Sequence, residues 1–297
     1  MPGIFYTPIS RKQFLGSSAA LLGGLLAGQR HSQAADETQE AHLALLSDTH
    51  TPADSTNEYR GFRPVENLSK IVPDIVAAKP QAAILNGDAA RLTGEYEDYV
   101  ALKGLLQPLA EQAPIHIGMG NHDDRKNFFR VFEQKRDVPA LVSGKHVSTF
   151  ELGGTKFVIL DSLLYVNQVA GLLGKAQRKW LTEFLAQADD RPIVFFFHHT
   201  LGDGDGDLLD FERVFQLMKP YRQVKAIFYG HSHAYSIAQR DHIYLINQPA
   251  IGYNFSDAQP VGWLDAKFAP QGVGLTLHAV GGNQEEHGQT KQIEWAT

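Results

Sequence analysis

The chain has 297 residues, 43% apolar and 20% charged, with a formal net charge of −6, which is enough apolar material for one large domain or two small ones. It contains no cysteine, so disulfides, thiolate metal sites and a cysteine nucleophile are excluded, and any metal is held by nitrogen and oxygen ligands. The acidic balance lacks the basic stripe that duplex nucleic acid requires, and an anionic substrate needs a local cationic site.

The first 34 residues read as an export signal rather than as part of the fold. Arg11 and Lys12 precede the uncharged run "QFLGSSAALLGGLLAG", and "HSQA" closes it with small residues at Ser32 and Ala34, the charge, apolar and cleavage pattern of a secretory signal. The run is shorter than a spanning helix needs. "SRKQFLG" resembles a twin-arginine signal with Arg-Lys in place of Arg-Arg, so the expectation is an exported protein, periplasmic or secreted, starting near Ala35. The alternative is an uncleaved N-terminal anchor. Removing Arg11, Lys12 and Arg30 takes the charge from −6 to −9, and no second long apolar run follows.

Short apolar runs then alternate with amphipathic stretches. Residues 42–47, 81–86, 114–119, 191–198 and 224–230 are predicted strands, and 65–79, 95–111, 174–187 and 207–219 predicted helices, with Pro73 a kink point in the first. Residues 146–161 read as a hairpin turning on Gly153-Gly154. Beyond His233 shorter strands are expected at 242–247 and 272–280. From Gly281 the chain is polar and is expected to be a loosely packed tail, 281–297. The pattern suggests an α/β fold in one domain, 41–280, with a mixed sheet or paired sheets.

The polar residues fall at the ends of the apolar strands. In chain order these ends are Asp48-Thr49-His50, Asn86-Gly87-Asp88, Gly120-Asn121-His122-Asp123, His198-His199 and Gly230-His231-Ser232-His233. Each alone has a plain reading as turn chemistry. Turns do not select histidine, however, and the C-terminal edge of an open α/β sheet is where ligands bind.

This ordered set resembles the calcineurin-like metallophosphoesterase superfamily from about Leu43 to His233. "GNHDDR", "FFFHH" and the intervening "QRKWLTEFL" further resemble its class III cyclic nucleotide phosphodiesterase and glycerophosphodiesterase branch. The resemblance implies a β-sandwich of mixed sheets flanked by helices, and two divalent or trivalent metal ions (Mn, Fe or Zn). It implies one ion on Asp48, His50 and His233, a second on Asn121, His198 and His231, and Asp88 bridging them. Such a set carries two formal negative charges, which leaves the metal pair net positive and able to draw in an anionic ester. The implied reaction is in-line attack of hydroxide generated at the metals on a small-molecule phosphoric ester, most often a diester.

By the same resemblance His122 is the catalytic acid that protonates the leaving alkoxide. Asp123 has two readings, a carboxylate that orients His122 and a turn residue. Of the His198-His199 pair the first matches the family as ligand. Arg125 reads as a helix-start ion pair, with a phosphate contact as the alternative. His42, His116, His146, His242, His278 and His287 are expected on the surface or satisfied in the core.

One stretch departs from the family, which has proline soon after the histidine pair. Here "TLGDGDGD" (200–207) follows. A calcium loop fails, because Leu208 stands where glycine is needed and Val214 where the bidentate glutamate is needed, so an acidic rim loop is expected. The competing functions are a phosphomonoesterase and a catalytically silent scaffold of the same fold.

Overall fold

The computed structural model describes residues 40–132 and 140–296; the export segment and the start near Ala35 lie outside the described residues. Along the chain run β1 (Ala41–Leu46), α1 (Pro64–Ala78), β2 (Ala82–Leu85), α2 (Tyr96–Ala110), β3 (Ile115–Ile117), α3 (Arg125–Phe132), β4 (Ser148–Leu152) and β5 (Thr155–Ile159). They are followed by α4 (Gly174–Gln187), β6 (Ile193–Phe196), α5 (Phe211–Met218), β7 (Val224–Tyr229), β8 (Ser236–Arg240), β9 (Ile243–Asn247), β10 (Pro260–Ala269), β11 (Gly272–Gly282) and β12 (Thr290–Glu294).

Two six-stranded mixed sheets result, ordered β12-β11-β10-β1-β2-β3 and β4-β5-β6-β7-β9-β8. In the first, β1, β2 and β3 are parallel; in the second, β5, β6, β7 and β9 are. These strands are mostly apolar because both faces are covered. Leu43, Leu45 and Ile84 of one sheet meet Phe157, Phe196 and Phe228 of the other in the central layer. The outer face of the first sheet packs on α1 to α3 through Leu68, Ile71, Tyr99 and Phe128. That of the second packs on α4 and α5 through Leu181, Phe184 and Phe215. The expected sandwich flanked by helices is what forms.

Most predicted elements are present within a few residues. Helix α1 begins on Pro64, where a missing N–H costs nothing, and runs unbroken through Pro73 to a left-handed Lys79. Helix α5 starts at Phe211 rather than residue 207, because the Asp210 carboxylate accepts from Leu173 N and Gly174 N at the start of α4. The expected loose tail needs correcting. β11 continues through Gly282 and pairs antiparallel with β12, and Ile293 and Trp295 bury themselves in the central layer. Two apolar side chains at the end of a polar stretch are enough to hold it down.

Candidate active site

The parallel strands of both sheets end at the same edge of the sandwich, so five separate stretches of sequence converge there. Asn86 ties the sheets together at this edge, its amide donating to Phe197 O, Phe228 O and Gln248 Oε1. The backbone turns sharply as it leaves each strand: Asp48, His50, Asp88, His231 and His233 all have positive φ, between 43° and 71°. A non-glycine residue there costs on the order of 1–2 kcal/mol. Strain gathered on these residues marks a site that the rest of the fold holds in place. Glycines give the remaining room, since a Cβ on Gly120 would strike the Asp88 carboxylate and one on Gly230 would strike Asp48.

Three groups of side chains place their ligand atoms within 4.8 Å of one another: Asp48, His50 and His233; His50, Asp88 and His122; Asp88, His198 and His231. Asn121 joins the last group, with its Oδ1 2.9 Å from His231 Nδ1. All seven expected ligand positions and His122 therefore lie together.

Each imidazole of the expected ligand set has one nitrogen committed to a backbone carbonyl, which only an N–H can satisfy. His50 Nδ1 donates to Arg91 O, His198 Nδ1 to Asn86 O and His233 Nδ1 to Tyr253 O, while His231 donates from Nε2 to Gly206 O. In the neutral rings the other nitrogen must then be a lone pair. These lone pairs face one another or face oxygen acceptors: His50 Nε2 to His233 Nε2 at 3.0 Å, His198 Nε2 to Asp88 Oδ2 at 3.2 Å, and His231 Nδ1 to the Asn121 carbonyl. Acceptor facing acceptor is unfavourable unless a cation lies between. The donor set fits divalent metal ions.

The electrostatics agree. Burial, then the charges of neighbouring imidazoles, hold His50 down at about 3 and His231 at about 4, so both rings are neutral at pH 7 and free to offer a lone pair. For His198, burial opposes charging, but the Asp88 and Asp48 carboxylates overcome it and push the ring up to about 10. A proton there stands where a cation would. Asp48 and Asp88 stay ionised, their burial outweighed by the surrounding imidazoles.

His122 is half-buried, and its Nδ1 donates to Leu92 O at 2.7 Å, which leaves Nε2 for chemistry. Asp123 does not touch it. Its buried carboxylate accepts from Gly120 N, Ala89 N, Ala90 N and Tyr99 OH, and burial with the Asp88 charge raises it to about 6. The catalytic, orienting role expected for Asp123 is thus corrected. It is a positioning residue that clasps the Gly120 and Asp88 loops, because four donors converge on it and none comes from His122.

His199 is set apart from the metal groups by its bond to Ser162 Oγ. Arg125 forms the ion pair, with both carboxylate oxygens of buried Asp161 at 2.6 Å, and is not free for phosphate. His42 pairs with Asp265, His146 with Ile117 O and His242 with Tyr221 O. His278 stacks on Trp263.

One part of the site was not foreseen. A cleft of about 330 Å³ opens beside His50 and His122 and is lined by Tyr59, Arg91, Tyr253 and Phe255. Tyr253 lies 4.7 Å from Tyr59 and 5.7 Å from Phe255, ring centre to ring centre. Tyr59 and Phe255 are 47% and 49% exposed, and Arg60 fixes the Phe255 loop by donating to Asn254 O and Phe255 O. The signal was "GYNFS" (252–256), two aromatics in a turn-rich segment with no strand or helix to bury them.

Comparison with known proteins gives a consistent result. The profile of the calcineurin-like phosphoesterase family matches residues 41–235. A 3',5'-cyclic adenosine monophosphate phosphodiesterase from Pseudomonas aeruginosa is 27% identical over 84% of this chain and 90% of its own. A probable cyclic nucleotide phosphodiesterase from Rhodopseudomonas palustris is 34% identical over 64% and 71%. A probable glycerophosphodiester phosphodiesterase from Arcobacter nitrofigilis is 27% identical over 65% and 72%. Among solved structures, a dimetal phosphatase from Danio rerio superposes with a TM-score of 0.65 at 14% identity, covering 86% of this chain and 99% of that one; this is a likeness of fold.

Proposed function

Since the chain belongs to the calcineurin-like phosphoesterase family and is a metal-dependent phosphodiesterase acting on small phosphate esters, we propose that it hydrolyses cyclic nucleotides outside the cytoplasm with two metal ions. The observation that carries the substrate is the aromatic cleft. It shares His122 with the metal groups, so the half of the ester that departs beside the acid enters an aromatic pocket. In a 3',5'-cyclic nucleotide the leaving oxygen belongs to the same nucleoside as the base, and the base then stacks on Tyr59, Tyr253 or Phe255. Glycerol has no ring to place there.

Asp48, His50 and His233 would hold one ion and Asn121, His198 and His231 the other, with Asp88 between. When bound, such ions supply Lewis acidity that makes hydroxide available near neutral pH and neutralises phosphate charge. The chain supplies the rest. His122 delivers a proton from Nε2 to the leaving oxygen, held in place through its Nδ1–H. Exposed Asp203 and Asp205 lie in the same loop, just before the Gly206 whose carbonyl meets His231, so the rim repels a dianionic monoester more than a monoanionic diester. Export rests on the signal pattern of residues 11–34, and an N-terminus near Ala35 in the native protein, read by mass spectrometry, is its check.

The deciding assay compares 3',5'-cyclic AMP, glycerophosphoethanolamine and p-nitrophenyl phosphate with Mn²⁺. The cyclic nucleotide is expected to have the highest kcat/KM. Phe255→Ala should raise its KM by roughly 5- to 100-fold with kcat nearly unchanged, the size of one lost base stack. A preference for the glycerol diester, with Phe255→Ala silent, would remove the nucleotide reading; a preference for the monoester would make the protein a phosphatase.

A further inference from the structure

We propose that the loop 200–207 is a positioning element for His231, with Asp207 the residue that sets it, and that it tunes the affinity of one metal site only. This rests on the reading that a divalent ion binds Asn121, His198 and His231. Three of the four ligand imidazoles are held by carbonyls close to the site strands or the cleft: Arg91 O, Asn86 O and Tyr253 O. The fourth, His231, is held by Gly206 O at 3.1 Å, which lies in a largely exposed glycine–aspartate loop. It also offers the opposite nitrogen, Nδ1, to the site. If Gly206 O moves away, the Nε2–H loses its acceptor, and the Asn121 carbonyl can draw the proton to Nδ1, the nitrogen offered to the site.

What aims Gly206 O is its neighbour. The Asp207 carboxylate accepts from Gly204 N at 3.0 Å, while Asp207 N donates to Gly204 O at 3.0 Å and Gly171 N donates to Asp207 O at 3.0 Å. Gly202 has no room for a Cβ against that carboxylate, and a Cβ on Gly206 would crowd Val169. Asp203 and Asp205 are exposed. The alternating Gly-Asp run therefore has two kinds of aspartate: one folds the loop and two face solvent. A carbonyl that orients a ligand histidine is worth about 10- to 100-fold in metal affinity.

The test is Mn²⁺ titration of the chelator-treated full chain by calorimetry. Wild type is expected to bind two ions. Asp207→Ala should weaken one site at least tenfold and leave the other within about twofold, and Asp207→Asn, which keeps an acceptor for Gly204 N, should restore it. The double variant D203N/D205N should bind as wild type. Unchanged binding by Asp207→Ala overturns the proposal, as does equal weakening of both sites. If D203N/D205N weakens binding as much as Asp207→Ala, the loop acts through charge and the positioning role falls. Fewer than two ions on wild type overturns it at its premise, and that result is visible before any variant is made.

Discussion

The backbone N–H of His122 donates to Asp88 Oδ1 at 2.8 Å, which links the residue proposed as the acid to the carboxylate shared by two of the metal groups. The chain that carries His122 is therefore registered on the metal site through its backbone, and its side chain stands beside His50 and Asp88 rather than among the seven residues proposed to hold the ions. Asn121 and His122 are successive residues, and one turns to His231 while the other turns to Leu92 O and the cleft.

That division of labour predicts different phenotypes for neighbouring histidines. His122→Ala should keep metal content near wild type and lose roughly 10²–10⁴-fold in kcat, with a smaller loss for nitrophenyl esters, whose leaving group needs no proton. His231→Ala should lose metal and recover in part at high metal concentration. Metal content measured beside kcat separates them. Equal metal loss in the two variants would make His122 a ligand.

Gly120 is expected to tolerate no side chain. A Cβ there meets the Asp88 carboxylate and Asp88 N, so Gly120→Ala should lower the content of both metals together while the far-ultraviolet circular dichroism stays unchanged. Loss of a single metal would show that Asp88 does not serve both groups.

Arg125 is predicted to act on stability. Its bidentate bond to Asp161, which is 0% exposed, leaves the carboxylate with Lys145 at 3.8 Å and two backbone donors when the guanidinium is removed. Arg125→Ala should cost about 2–4 kcal/mol in urea unfolding with KM for the diester unchanged. A raised KM at unchanged stability would return Arg125 to the phosphate.

His116 sets an acid limit. It stacks on Phe150 with centroids 3.9 Å apart, and burial, helped by His146, lowers it from 6.5 to about 4. The unfolded chain takes up this proton below pH 6.5 and the folded chain only below about 4, so the stabilisation is present above pH 6.5 and is lost as pH falls towards 4. The full effect is about 3 kcal/mol, of which about 2 is gone by pH 5. His116→Phe keeps the stack and should show a smaller drop in unfolding free energy between pH 7.5 and 5; an equal drop would place the acid lability elsewhere.

What the sequence reveals depends on where the information for each element lies. The site was legible because each ligand follows a short, mostly apolar run, so the run and its polar end are visible locally. Strand β10 was not, because Asp265 and Lys267 interrupt its apolar pattern and Asp265 finds its partner in His42 on a neighbouring strand. Edge strands β8 and β12, "SIAQR" and "TKQIE", owe their pairing to the strand beside them. Helix α3 did carry a sign, since Asp124 Oδ1 accepts from Asn127 N at its start. The cleft was legible only in part, since "GYNFS" is local but Tyr59 reaches Tyr253 through the fold.

The position of β1 sets a timetable for the molecule. It lies between β2 and β10, so the first strand described here keeps one edge open until residues 260–269 have been made and can pair with Ala41–Leu46. Contacts this distant in sequence form slowly and late. Asp48 and His50 leave the end of that same strand, and half of their partners, His198, His231 and His233, also come from the later part of the chain. A nascent chain thus presents Asp48 and His50 long before their later partners exist, and the group of Asp48, His50 and His233 can close only once His233 has been made.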